Sequence, residues 1–421
     1  MTDETAIMDE TVDWWGMLRD ADFLADPAER LAALRAQGPV HFDPESGCYF
    51  VLSHDAFTQA MRNPAIGRDT RQWKGGWYSD PDFAKRDPVA YELFSLFQPQ
   101  MVNVDGPDHK RMRGVYDPAF RARAITEMTA MVEEETDALI ATLPTDGTPV
   151  DLIAAYARPL PLHVLCRLFE IPKEMAETVA GWSASLIQLG DLMMTDAQKA
   201  ESLDALKSMR SYLAGQMADC PSGSETSLMR LSLAALEAGV MDRDETLTNF
   251  GSFLIAGHET TVTLLGNGLM LLLENPDQMA LLRDDPELAR RAVDEALRFE
   301  PGGNLLLRIA LEDCEIAGTK IPGGSPVIGL IRATNRDPDR FEAPNTFDIT
   351  RSANAHHGFG GGPHFCLGAP LARLQGRLAF QRLVAAFDEI TLLEPPGWLA
   401  AGTNARVLDT LRVRLTPASS R

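Results

Sequence analysis

Apolar residues recur at three- and four-residue spacing over most of the chain, the period of helices with one buried face. The Ala/Leu/Arg-rich stretch Ala28–Gln37 follows Asp26-Pro27, and Ser53 is a candidate N-cap for a helix reaching Met61. Helical periodicity returns over residues 128–143 and again from Val150 to Phe169. The longest such stretch, residues 247–273, has the length and apolar character of a buried helix. Period-two alternation is rarer. Val40–Phe42 and Cys48–Leu52 read as a hairpin around Asp43-Pro44-Glu45-Ser46-Gly47, and Leu305–Ala310 with 314–321 reads as paired strands. Pro326 to Arg332 and Arg406 to Leu415 are also strand-like. Between Arg68 and Gln100 the periodicity fails, and Trp73, Trp77, Tyr78, Phe94 and Phe97 lie among glycines, prolines and charges. A long irregular aromatic stretch either lids an apolar pocket or is pinned to the surface.

No Gly/Ser- or Pro-rich linker divides the 421 residues, so residues 1–421 are expected to form one unit. Five scattered cysteines without a CxxC pair fit a reducing compartment, and the acidic N-terminal residues lack a signal-peptide pattern. A cytoplasmic location is expected. No run of about 18 apolar residues is present to span a bilayer. A formal charge of −21 disfavours nucleic acid as a partner. No stable membrane anchor is expected, and the protein is expected to be a monomer.

Four stretches carry candidate chemistry. Phe359-Gly360-Gly361-Gly362-Pro363-His364-Phe365-Cys366-Leu367-Gly368 presents one cysteine on a glycine-rich turn that runs into a helical pattern. The first amides of that helix would favour a thiolate at Cys366, and a single thiolate in an apolar setting suits haem iron. The bland alternative is a buried cysteine in a tight turn. In the second stretch, Asp105 or Asp108 could cap a helix on which His109 and Arg113 share one face, suited to a propionate or simply exposed. The third, Ala256-Gly257-His258-Glu259-Thr260, places an acid and a hydroxyl inside an apolar helix, where both need partners. Gly257 weakens that helix and allows widening or close approach. A zinc-protease reading fails because Val262 stands where a second histidine would be needed. In the fourth, Glu295 and Arg298 are spaced to pair on one helical face.

Taken together and in this order, these stretches resemble the cytochrome P-450 family, the haem-thiolate monooxygenases. The cysteine turn fills every fixed position of the family's Phe-Gly-x-Gly-x-His/Arg-x-Cys-x-Gly pattern, and the other three match its Asp-x-Pro-x-His-x-x-x-Arg, Ala/Gly-Gly-x-Asp/Glu-Thr and Glu-x-x-Arg elements. The resemblance implies a triangular, mainly α haem protein with a smaller β-rich region that inserts one atom of dioxygen into an apolar organic substrate. It implies haem b, with Cys366 as the axial iron ligand. His109, Arg113, Arg308 and His356 would contact the propionates, His364 fills the cofactor-binding His/Arg position of the ligand loop, and Ala256 and Gly257 would lie against the haem. It assigns Thr260 to a hydrogen bond with dioxygen, Glu259 to proton relay, and Glu295 with Arg298 to the scaffold. The family's usual third scaffold arginine is replaced here by Thr346, leaving Arg336, Arg340 or Arg351 to substitute.

Substrate would be enclosed by Trp73, Trp77, Phe94, Phe97, Leu186, Ser252, Ile255, Gly302, Gly303 and Leu305, with Leu189, Met193 and Met194 nearby and the turn at 401–404 within reach. Electrons would come from NAD(P)H through a ferredoxin reductase and an acidic iron–sulfur ferredoxin. That ferredoxin would be drawn to Lys110, Arg111, Arg121 and Arg123, a basic neighbourhood in an acidic chain. His163 and Cys166 read as packing residues. The competing functions are a peroxide-driven haem-thiolate peroxygenase, against which the acid–alcohol pair argues, and a non-catalytic haem sensor.

Overall fold

A computed structural model describes residues 12–191, 193–219, 227–399 and 406–418. The turn expected at 401–404 and the N-terminal residues before 12 lie outside them. Near the start, β1 (Val40–Asp43) pairs antiparallel with β2 (Cys48–Val51), closing the hairpin at Asp43 and Cys48. Helix α1 (His54–Arg62) follows, capped as expected by Ser53, whose hydroxyl accepts from the Ala56 amide. After β3 (Ile66–Gly67) the irregular stretch contains more helix than its periodicity suggests, because α2 occupies Pro88–Phe97. Pro88 starts α2 where no amide is needed, Asp87 accepts from the Ala90 amide, and Ala90 with Leu93 face inward. Next come α3 (Gly106–Tyr116), α4 (Ala122–Ile140), α5 (Pro159–Leu168), α6 (Ala176–Leu186) and α7 (Asp196–Asp219).

The axis of the molecule is α8 (Arg243–Glu274), 32 residues long. Its start is set by a reciprocal cap: Asp242 accepts from the Glu245 amide while the Glu245 carboxylate accepts from the Asp242 amide. Most of α8 is buried, and α5, α6, α7, α9 (Ala289–Phe299) and α10 (Ala369–Ala386) pack against it. Leu254, Leu265, Leu269 and Leu272 on α8 join Phe380 and Leu383 on α10 in the main apolar core.

The β-rich region is a five-stranded sheet with β4 (Leu305–Ala310) and β5 (Pro326–Leu330) in the order β1-β2-β5-β4-β3. The β2–β5 pairing is parallel and the others antiparallel. One pairing differs from expectation. Leu305–Ala310 pairs with Pro326–Leu330, while Cys314–Ile316 and Thr319–Ile321 close a hairpin on themselves. The Ala317-Gly318 turn between them has both residues at positive φ, which joins those two short strands directly. The C-terminal strand-like run is interrupted at Leu411, giving Leu408–Thr410 and Arg412–Pro417.

Candidate active site

One cavity of about 910 Å³ is walled by the cysteine turn, the middle of α8, the start of α3, β4 and the aromatic stretch before α3. Cys366 lies on this wall with Ala256, Gly257 and Thr260. Its turn is held from three directions. The Cys366 amide donates to the Phe359 carbonyl at 3.0 Å. Arg113 donates to the carbonyls of Pro363 and Phe365 at 3.1 and 2.8 Å. Gly362 has φ +65°, and a Cβ there would lie 1.9 Å from the Met61 carbonyl oxygen on α1, so no side chain fits.

Burial raises the Cys366 thiol pKa despite the amides of Gly368 and Ala369 and the positive charges of Arg113 and Arg373. The helix start alone therefore does not make a thiolate here. A metal cation at the sulfur would supply the missing stabilisation.

At another part of the wall cations outnumber anions. Arg308 and Arg68 are close enough to oppose each other's charge, and Arg308 is lowered to about 9 by burial and then by Arg68. The nearby carboxylate is Asp105. It stands at the N-cap position of α3, but its side chain makes no cap bond and instead accepts from the Arg68 and Asp69 amides at 2.7 and 2.9 Å and from His364 Nε2 at 2.9 Å. Burial opposes its charge, yet those hydrogen bonds hold its pKa at about 2. The His109 ring packs on His364, with centroids 4.2 Å apart, and burial with its charged neighbours His364 and Arg113 lowers it to about 4. Arg68 was not singled out by the sequence reading. Its clue was a charged residue ahead of an aromatic stretch, which single-sequence patterns do not distinguish from a solvated one. A dianionic group fits this surplus of positive charge, and the thiol on the cavity wall fits its iron.

In α8, the Thr260 hydroxyl donates to the Ala256 carbonyl one turn back, with the residue still on the cavity wall. Gly257 stays helical. A Cβ there would meet Leu165 of α5 at 2.9 Å, so it serves close approach rather than widening. Glu259 lies behind the wall. Its Oε1 is buried without a hydrogen bond, 3.2 Å from His258 Nδ1.

Of the expected pocket residues, Trp73, Trp77, Phe94, Phe97, Ser252, Gly302, Gly303 and Leu305 line the cavity, joined by Leu189, Met193 and Met194. Leu186 and Ile255 do not. They face the core, 1% and 6% exposed, because their helical positions point away from the cavity. His356 is also off the wall. Its Nε2 pairs with Asp294 at 3.2 Å and its Nδ1 accepts from the Gly358 amide, so the ring is turned toward α9. His163, expected only to pack, has Glu135 Oε2 at 3.3 Å from its Nδ1.

The scaffold pair forms as the spacing predicts. Arg298 donates to both Glu295 oxygens at 2.8 and 2.7 Å and to the carbonyls of Asn335, Pro344 and Thr346. Arg351 is the substitute arginine, its Nε 3.2 Å from Glu295. Arg336 instead pairs with Glu300.

A thiol, a cation-rich corner and an acid–alcohol helix around one cavity define a haem-thiolate enzyme site. The comparisons with known proteins agree: the profile of the cytochrome P450 family matches residues 193–394. Vitamin D(3) 25-hydroxylase of Pseudonocardia autotrophica is 35% identical over 375 residues, covering 88% of each chain. Cytochrome P450 monooxygenase PikC of Streptomyces venezuelae is 33% identical, covering 90% of this chain and 88% of its own. Among solved structures, myxobacterial cytochrome P450 CYP267B1 in complex with myristic acid superposes with a TM-score of 0.85 at 29% identity, covering 96% of this chain and 100% of its own. The chain belongs to the cytochrome P450 family. It is a haem-dependent monooxygenase of small organic substrates, using haem b and dioxygen with NAD(P)H as the electron source through redox partners. No described helix is long and apolar enough to cross a membrane.

Proposed function

We propose that this chain oxygenates an apolar substrate held beneath its aromatic stretch, with electrons relayed by an iron–sulfur ferredoxin. The overall balance is RH + O₂ + NAD(P)H + H⁺ → ROH + H₂O + NAD(P)⁺. The single observation carrying the assignment is that Cys366 and Thr260 wall the same cavity. Haem supplies the redox chemistry when bound. Cys366 would be its axial ligand, and Arg308, Arg113, His109 and His364 would hold its propionates, with His356 left to brace the turn through Asp294. Trp73, Trp77, Phe94 and Phe97 exclude water and orient the apolar substrate. Thr260 holds a hydroxyl at the wall, and Glu259 behind it is the group that passes protons.

For the ferredoxin, exposed Lys110 and Arg121 support an acidic partner, while exposed Arg123 already pairs with Glu127 at 3.0 Å. Arg111 is removed from that set because Glu245 and Asp108 already bind it, Glu245 at 2.7 and 2.8 Å. The reading is tested with vitamin D3, myristic acid and tirandamycin C as probes, scored first by spin-state shift and then by product. Product with NAD(P)H, reductase and ferredoxin is the expected outcome. Product with peroxide alone, and none from the electron partners, would replace it with a peroxygenase.

A further inference from the structure

His258 is wholly buried, 0% exposed, yet neither ring nitrogen has a hydrogen-bond partner. Its neighbours one turn away, Leu254, Ile255, Thr261 and Val262, are all buried as well. An apolar side chain would fill such a place without orphaning two polar atoms, so a histidine here destabilises the helix unless it finds a partner. Glu259 Oε1 is orphaned too and lies 3.2 Å from His258 Nδ1. That distance is within hydrogen-bond reach and only the angle misses. Among the described residues, His258 is the one basic group within ion-pair distance of Glu259.

We propose that His258 is the positioning residue for Glu259. In the tautomer with its proton on Nδ1, the imidazole donates to Glu259 Oε1 after a small side-chain rotation. One carboxylate oxygen is thereby fixed, and the other is left to exchange protons with the water and hydroxyl groups leading to Thr260. Gly257, pressed against Leu165, keeps the backbone of this turn from drifting. This inference rests on the reading of Glu259 as the proton-passing group. It adds why that acid is ordered without an arginine or lysine.

The signature is coupling. When proton delivery fails, the same electrons leave by NAD(P)H + H⁺ + O₂ → NAD(P)⁺ + H₂O₂, with no oxygen reaching substrate. The experiment uses holoenzyme with ferredoxin, reductase and whichever of the three probes gives most product. Product and peroxide per NAD(P)H are measured for wild type, H258L, H258N and E259Q. Asn places an amide donor close to the position of Nδ1, whereas Leu fills the space without one. E259Q is expected to lose about 10²-fold in product rate, the lower end of general acid–base contributions. H258L is expected to lose about tenfold with a matching rise in peroxide, and H258N to recover most of the loss. Haem content and peroxide-driven turnover should be the same in H258L and H258N, which separates positioning from folding. Wild-type coupling in H258L overturns the proposal, as does an H258N variant as uncoupled as H258L. If the wild type itself makes product only from peroxide, the functional reading falls first and takes this inference with it.

Discussion

Arg298 and His258 are both 0% exposed, but the chain treats their polar atoms in opposite ways. Around Arg298, Glu295 and three carbonyls accept its hydrogen bonds. The same carboxylate also takes the Asp348 amide at 2.9 Å and the Asn354 side chain at 3.0 Å. Around His258 and Glu259, three buried polar atoms have no hydrogen bond. A satisfied buried network fixes one arrangement of its segments. An unsatisfied one keeps donors and acceptors free, at a cost in stability that the rest of the fold must exceed. The first region holds α9 to the irregular 335–354 stretch, and the second lies beside the cavity. The difference separates a network that fixes the scaffold from polar atoms left free beside the cavity.

Breaking the comparison at the iron ligand gives the largest expected effect. C366A should abolish the thiolate-type ferrous–carbon monoxide band completely, and an unchanged band would remove Cys366 from the site. On the satisfied side, R298A leaves a buried Glu295 carboxylate without its bidentate partner. It should lower unfolding free energy by about 3–5 kcal/mol in urea titrations. On the unsatisfied side, T260A should leave stability within about 1 kcal/mol, because its hydroxyl only back-bonds within α8, while lowering coupled product formation by about tenfold or more. If T260A destabilised the fold as strongly as R298A, the division between the two regions would collapse.

A finer probe is R351A. Arg351 sits at the edge of the satisfied network, 3.2 Å from Glu295, and its loss should cost about 1.5 kcal/mol, well below R298A. The smallest effect concerns Asp105. Its pKa of about 2 lies below the unfolded value of ~3.9, so its contribution is fully present above pH ~4 and lost as pH falls through 2. Solvent screening of this partly exposed group reduces that contribution to about 1 kcal/mol. D105N should therefore flatten the acid limb of stability between pH 4 and 2. A parallel acid limb in D105N would show that Asp105 carries no charge-dependent stabilisation.

Much of this was legible in the sequence because it is written locally. The cysteine turn and the Glu295/Arg298 spacing depend on residues a few positions apart, and both appear as expected. The long buried helix was visible in its apolar run, although its true start at Arg243 depends on the Asp242/Glu245 cap upstream. What failed depends on direction or distance. Leu186, Ile255 and His356 have suitable chemistry, but a rotation about a helix or loop decides whether they meet the cavity. The pairing of Leu305–Ala310 with Pro326–Leu330 skips over a self-contained hairpin, which alternation alone does not disclose. Arg351 was one of three possible substitutes for the missing arginine until Glu295 was seen to accept from it. The burial of both His258 ring nitrogens is a tertiary fact that no sequence pattern carries.

The contact between Gly362 and the Met61 carbonyl has a consequence for shuffling segments among related proteins. Residues 301 positions apart in the chain form one inseparable unit, since the loop lies so close to the α1 backbone that not even a methyl group fits between them. A hybrid joining the cysteine loop of one parent to the α1 of another would inherit that fit only if both parents place this helix end alike. Crossover points that keep residues 54–62 and 359–368 from the same parent should yield haem-loaded hybrids more often than points that split them.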